Sequence, residues 1–222
     1  MTSLFPPIDE VRQNREDSAM ELNKNRGPMS LEESVQLLMD ERDIRACLYR
    51  FNRAGDRRDM DLWASCFHEN AIDHHAPFWN GTFEEKRDGI YEGMNLIESS
   101  QYNTGTINIE LDGDVAFVES YVWSAKKLVH RSDDGHPLVR MSGMRYIDRF
   151  ERRDSVWRIA ERWFVPEWGF FQEVPALTKA VGPFQPPADQ VLKQIPSKYG
   201  EEDISYHLRE RPALEQDLVT GQ

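Results

Sequence analysis

Three short polar turns constrain the fold more than any other feature of the sequence. Asp112-Gly113-Asp114, Ser132-Asp133-Asp134-Gly135 and Arg152-Arg153-Asp154-Ser155 separate four runs rich in Val, Ile, Phe, Tyr and Trp. Those runs are Thr106–Leu111, Val115–His130, Leu138–Glu151 and Val156–Val165. A turn of a few residues joins only antiparallel neighbours, because a parallel return needs a crossover of a dozen residues or more. Asp-Gly between such runs is itself a strong hairpin signal. The spacing therefore predicts an antiparallel meander of long strands.

Upstream the period changes from two to about 3.6. Ser30-Leu31-Glu32-Glu33 has the form of a capping box, in which the hydroxyl caps a free amide and Glu33 reaches back. Val35, Leu38, Ile44, Leu48 and Phe51 follow at helical spacing. The helix is expected to run to about Ala54, with Gly55 placed to end it. A second short helix is expected over Met60–Phe67, a short strand over Ala71–His75, and another short helix within Phe83–Ile97. Helices first and an antiparallel sheet after them make an α+β domain, in which a curved sheet wraps the first helix and leaves an apolar cavity. The expected organisation is an arm over 1–29, the α+β domain over 30–171 and a C-terminal extension over 172–222. Short helices are expected at Glu10–Asn23, Gln190–Gln194 and Pro212–Leu218.

Charge and cysteine usage narrow the function classes. The 222 residues carry a net charge of −12, which repels phosphate backbones and anionic lipid, so neither nucleic acid nor membrane is an expected partner. Cys47 and Cys66 are too few and too far apart for a disulfide scaffold or a zinc site, and both read as small core residues. His68, Asp73, His74 and His75 cluster, but no HxH or HExxH spacing appears, so no metal is expected. There is no Gly-rich phosphate loop, no nucleophile elbow and no nucleotide fingerprint. No apolar run approaches 18 residues and Met1–Glu10 lacks the parts of a signal peptide, so a cytoplasmic location is expected.

Three stretches together resemble the SnoaL-like family of the nuclear-transport-factor-2-like superfamily. They are Ile44–Asp73 with Phe51, Asp56, Asp59, Phe67 and Ala71; Ile107–Tyr121 with its Leu111–Ala116 turn; and Gly143–Trp168 with Arg145–Arg149 and Trp157–Arg162. The resemblance spans about residues 38–168. It implies a cone-shaped fold, homodimers or homotrimers, and enzymes that use no cofactor, among them polyketide cyclases, dehydratases and ketosteroid isomerases. It also extends to C–C lyases that deformylate lignin-derived diarylpropanes to stilbenes. A fold does not fix a function.

On that resemblance Asp56, at the end of the first helix, is the pocket carboxylate, a base or the partner of a His. A carboxylate facing an apolar cavity favours its neutral form, a tuning that suits proton transfer. Phe51 departs from the family, which often has Tyr there as acid or oxyanion donor. Tyr102 stands where family dehydratases carry a catalytic His. His74 and His75 are adjacent on a strand, so one faces the pocket and the other faces away. Arg145 is expected to enter the cavity beside Met141, Gly143 and Ile147, with Asp56 or an anionic intermediate as partner. Phe51, Trp79, Trp123, Trp163 and Phe170 are the expected walls of a site for an aromatic substrate. The leading expectation is a cofactor-free lyase that eliminates water or formaldehyde from a hydroxylated aromatic. The rivals are a steroid or polyketide isomerase or cyclase and a non-catalytic subunit or binding module.

Overall fold

The computed structural model describes residues 29–174 and 198–207. Expected helices at 10–23, 190–194 and 212–218 lie outside the described residues. The elements are α1 (Leu31–Arg57), α2 (Met60–Ala64), β1 (Phe67–His75), β2 (Trp79–Gly81), α3 (Phe83–Met94), β3 (Ile97–Asp112), β4 (Val115–Arg131), β5 (Pro137–Arg153) and β6 (Val156–Glu173). A 3-10 turn (Gly200–Glu202) and α4 (Ile204–His207) follow. The chain divides within α1 into a unit of Met1–Asp40 and a unit of Glu41–Gln222.

In the first unit the capping box forms: Glu33 N donates to Ser30 Oγ at 3.2 Å and Ser30 N donates to Glu33 Oε2 at 2.8 Å. Leu31, Val35 and Leu38 are exposed. In the second unit α1 buries Ile44, Cys47, Leu48, Phe51 and Ala54, one stripe at helical spacing. The helix continues through Gly55 to Arg57, and Arg58, with φ of 53°, ends it. A Cβ at Gly55 would make only ordinary contacts, with Trp63 and Tyr102 at 3.7 Å, so packing does not require glycine there.

The fold is α+β, with six strands in the order β2-β1-β6-β5-β4-β3. β3 to β6 form the expected meander, and β1 lies parallel to β6. Three strands are longer than expected: β1 starts at Phe67 rather than Ala71, so the short helix ends at Ala64 instead of Phe67, and β3 and β6 are longer than their own residues suggest. β3 starts at Ile97, nine residues before Thr106, because Ile97 and the polar run Ser99–Gln101 pair with Ala125–Leu128 of the long β4. β6 runs to Glu173 despite Pro166, which stands opposite Met144 at a register irregularity, where a ladder hydrogen bond is already interrupted.

A second irregularity in β6 decides which residues face inward. Phe150 pairs with Ile159 and Arg149 with Glu161, so Ala160 is an extra residue. Before it Trp157 and Ile159 are buried; after it the parity reverses, Arg162 is buried and Trp163 is exposed. Arg162 lies opposite Asp148 and makes a two-pronged ion pair with it, Nε–Oδ1 and Nη2–Oδ2 both 2.7 Å, with neither side chain exposed. Its guanidinium carbon is 4.0 Å from the Tyr146 ring centre and 4.1 Å from that of Phe51. Phe51 in turn packs edge-on to Trp63, Phe67 and Tyr146 at 5.3–5.9 Å. Burial opposes the Arg162 charge, but the Asp148 carboxylate outweighs it and holds the guanidinium protonated.

Removing one member of a buried pair leaves the other uncompensated. Asp148→Leu is expected to lower unfolding free energy by about 3–5 kcal/mol, and the Asp148→Leu/Arg162→Met double variant to recover most of that loss. Urea denaturation followed by circular dichroism measures both. A single variant as stable as the double would show that the pair carries no such weight.

Candidate active site

The inner face of the sheet, the β1–β2 hairpin and α3 enclose a cavity of about 950 Å³. Its wall is laid out in rows set by strand register. The deepest row places Asp148, Arg162 and Asp73 side by side on β5, β6 and β1. The next carries Tyr146, Phe164, His75 and Trp79. Two rows on stand Tyr102, Ser124, Ser142 and Gly169, and the last row is Ser100, Lys126, Arg140 and Phe171.

His75 is the histidine that lines the cavity. It stacks between Trp79 at 4.2 Å and Phe164 at 4.1 Å, the latter nearly parallel at 7°. Its Nδ1 is 3.3 Å from Oδ1 of Asp73, two residues earlier on the same strand face and 5% exposed. A carboxylate on one ring nitrogen fixes the tautomer and leaves the other nitrogen as the reactive one. Tyr146, in the same row, is buried, and burial pushes its phenol pKa well up, so the hydroxyl stays protonated.

Asp56 lies at the last turn of α1, behind two residues that line the cavity. Its Oδ1 accepts from Ser100 Oγ at 3.1 Å and from the Tyr102 backbone N–H at 3.1 Å, with Oδ2 3.2 Å from the same N–H. Burial pushes its pKa up to about 6, against the opposing pull of the Tyr102 and Ser100 hydrogen bonds and of the Arg57 and Lys126 charges. A carboxyl tuned near neutrality can both take and return a proton.

Several expected site residues sit elsewhere. Arg145 is on the outer sheet face, bound to Glu119 at 2.7 Å and Glu167 at 2.6 Å, because Met144, Tyr146 and Asp148 hold the inward parity of β5. It is therefore no partner of Asp56. His74 also faces out, stacked at 3.9 Å on Trp163 and 3.1 Å from Glu161. Trp163 and Trp123 are 45% and 42% exposed on that outer face and do not line the cavity. Phe51 is core beneath the floor rather than wall. Trp79, Phe170 and Tyr102 do line the cavity. The expected pairing of the pocket His with Asp56 is replaced by the pairing with Asp73. Among the described residues no three His, Cys, Asp or Glu side chains are grouped to hold a metal ion.

The site residues that sequence reasoning missed are Asp73, Tyr146, Arg162 and Lys126. Asp73 and His75 were legible as an i, i+2 pair on one strand face. Arg162 was not, because simple alternation from Trp157 and Ile159 places it outside.

Residues 36–163 match the SnoaL-like domain family. The chain belongs to that family. No curated protein matches the sequence. Solved structures share the fold. One is that of a putative scytalone dehydratase from Novosphingobium aromaticivorans, at 16% identity, covering 67% of this chain and 99% of that one, with a TM-score of 0.55. A second is the hexachlorocyclohexane dehydrochlorinase LinA-type3 from Novosphingobium barchaimii, at 16% identity, 68% and 99% coverage and a TM-score of 0.54. A third is the Kfla4162 protein from Kribbella flavida, at 12% identity, 60% and 95% coverage and a TM-score of 0.55. At these identities the likeness is one of fold. Among the described residues no helix is long and apolar enough to cross a membrane.

The raised pKa of Asp56 carries a stability cost. Its folded-state value, about 6, lies above the usual 3.8, so ionising it in the folded state lowers stability, a penalty that is absent below pH 3.8 and complete above pH 6. Asp56→Asn, which keeps the acceptor for the Tyr102 N–H, is expected to raise the thermal midpoint at pH 7.5, with the gain vanishing near pH 4 in roughly the span between the two pKa values. Calorimetry across that range tests it; a midpoint that falls at pH 7.5 would show Asp56 to be a net stabiliser.

Proposed function

We propose that this SnoaL-like protein is a lyase that eliminates a small fragment, water in the simplest case, from a hydrophobic hydroxylated aromatic substrate by acid–base catalysis. The observation that carries this reading is His75, held through Nδ1 by buried Asp73 and presented between two aromatic rings in a large cavity. In the elimination His75 Nε2 takes the proton from the carbon beside the leaving hydroxyl. The electron pair of that C–H bond forms the new double bond, and the C–O bond breaks. A protonated group must meet the departing hydroxide; Tyr146 stays protonated and stands in the same row as His75. Asp56, tuned near neutrality, reaches the cavity through the Ser100 hydroxyl that donates to it, and relays the proton along that contact. Each such acid or base contributes about 10²–10⁴ in rate. A putative dehydratase and a dehydrochlorinase among the fold neighbours support an elimination.

The contact of Asp56 with the cavity-lining Ser100 hydroxyl also favours a second reading, an isomerase, in which the carboxyl takes a proton from one carbon and returns it to another through that hydroxyl. Mass separates the two, since isomerisation conserves it.

The test is incubation with a panel of hydroxylated diarylpropanes and steroids, following mass and released formaldehyde. Loss of water or formaldehyde, reduced by roughly 10²-fold or more in His75→Ala and in Asp56→Asn, is expected. Activity should also fall as pH drops through about 6, the value at which Asp56 gains its proton, and that acidic limb should be missing from whatever activity Asp56→Asn retains. A fully active His75→Ala enzyme would end the assignment.

A further inference from the structure

The last row of the cavity wall holds an arrangement that the elimination does not use. Lys126 and Arg140 are direct cross-strand partners on β4 and β5, and both line the cavity. Like charges opposite each other on one sheet face destabilise the pair. Neither makes an ion pair with any described residue: Lys126 lies over the Tyr102 ring at 4.8 Å, and Arg140 donates through Nε to Ser142 Oγ at 3.2 Å. Neighbouring cations on the outer face are all satisfied. Lys127 and Arg131 share Glu98, and Arg145 takes both Glu119 and Glu167. The two carboxylates of the cavity wall are also committed, Glu85 to the Thr82 cap of α3 and Glu167 to Arg145. One row deeper, Ser124 Oγ is fully buried and has no hydrogen-bond partner among the described residues. A chain of net charge −12 thus sets two adjacent cations in its cavity wall with no ion pair to a described residue, and the one acid on which Lys126 acts is Asp56, behind Ser100 and already hydrogen-bonded to Ser100 and Tyr102.

We infer that Lys126 and Arg140 form an anion subsite that takes the carboxylate of an elongated aromatic acid. The inference rests on the reading of this cavity as the substrate site. A planar guanidinium and an ammonium side by side suit a two-oxygen anion. The wall supplies rings on other strands of the same sheet: Phe171 of β6 flanks Arg140, and Phe164 of β6 and Trp79 of β2 lie toward His75. Arg140 and Tyr146 are six residues apart on β5, about 20 Å of strand before the reach of the side chains is subtracted. An occupant that meets both the cations and His75 is therefore longer than one ring.

The probes are biphenyl-4-carboxylate and its neutral isostere biphenyl-4-carboxamide, titrated against the full chain. Quenching of the cavity tryptophans Trp63, Trp79 and Trp168 reports binding. The carboxylate is expected to bind about 10-fold tighter or more, since a charge-assisted contact is worth that factor, and the margin should shrink with added salt. Lys126→Gln and Arg140→Gln should each cut the preference sharply. Arg140→Lys, which keeps the charge, should retain most of it and separates charge from the Ser142 contact. Equal affinity for the two probes in the wild-type chain overturns the subsite, as does a preference that survives both glutamine variants. Because the readout is binding, the two proposals fail separately. A carboxylate preference without turnover of any substrate overturns the lyase alone; turnover of neutral substrates without a preference overturns the subsite alone.

Discussion

The structure depends most on the ion pair between Arg162 and Asp148. It is a cross-strand pair with no exposure on either side chain, roofed by Tyr146 and floored by Phe51. An ion pair in such a place is weak as a source of net stability, since desolvation offsets most of the attraction. Its effect is geometric. The planar guanidinium is pinned at two points and sandwiched between rings, so it fixes the relative placement of β5, β6 and the helix stripe. Asp73 sits next to Arg162 across β1 and feels its charge. The orientation of His75 is thereby tied to the same pair through Asp73.

The architecture was legible because its signals are local. Turn chemistry at Asp112-Gly113 and at Asp154-Ser155, where both residues take positive φ, can be read without knowing any partner. The helix stripe and its cap are equally local. The strand ends were not legible, because Ile97–Gly105 and Pro166–Glu173 are strand only by virtue of the neighbours they pair with. The site was half legible. Asp56 was found by resemblance, and one of two adjacent histidines had to face inward. Arg145 was misassigned and Arg162 missed for one reason: parity counted from the wrong reference. On β5 the inward set is even-numbered, and on β6 a single extra residue, Ala160, exchanges inside for outside. A bulge leaves no clear mark in composition, yet it moves every side chain beyond it to the opposite face.

The environment of Asp56 shows a similar division of labour. Three arginines, Arg53, Arg57 and Arg58, follow or precede it within a turn, and unpartnered they would favour its ionised form. Each is held elsewhere by the short segment 198–207. Arg57 pairs with Asp203 at 3.2 Å, Arg53 donates to Ser205 and lies over Tyr206, and Arg58 lies over Tyr199 and donates to the Ile97 carbonyl. Tyr206 also donates to Asp59 at 2.7 Å, the residue that caps α2. Burial then outweighs the remaining charge, and Asp56 titrates near neutrality. The segment also anchors the start of β3 through Tyr199, whose hydroxyl donates to the Glu98 carbonyl, two residues before Ser100.

Charge placement follows one pattern across the sheet. On the outer face every strand cation near the cavity end has a carboxylate, and the aromatic rings there, Tyr121, Trp123 and Trp163, are partly exposed. On the inner face the deep charges are paired, and the outermost ones make no ion pair with a described residue. Burial explains the difference at depth, where an unpaired charge would cost several kcal/mol. It does not explain Lys126 and Arg140, which are only half-buried and could have been neutral at little cost to the fold. Two cations set against each other over a row of serines make physical sense when something anionic stands between them. Function is the usual reason for a locally unfavourable pair to persist in an otherwise consistent sheet.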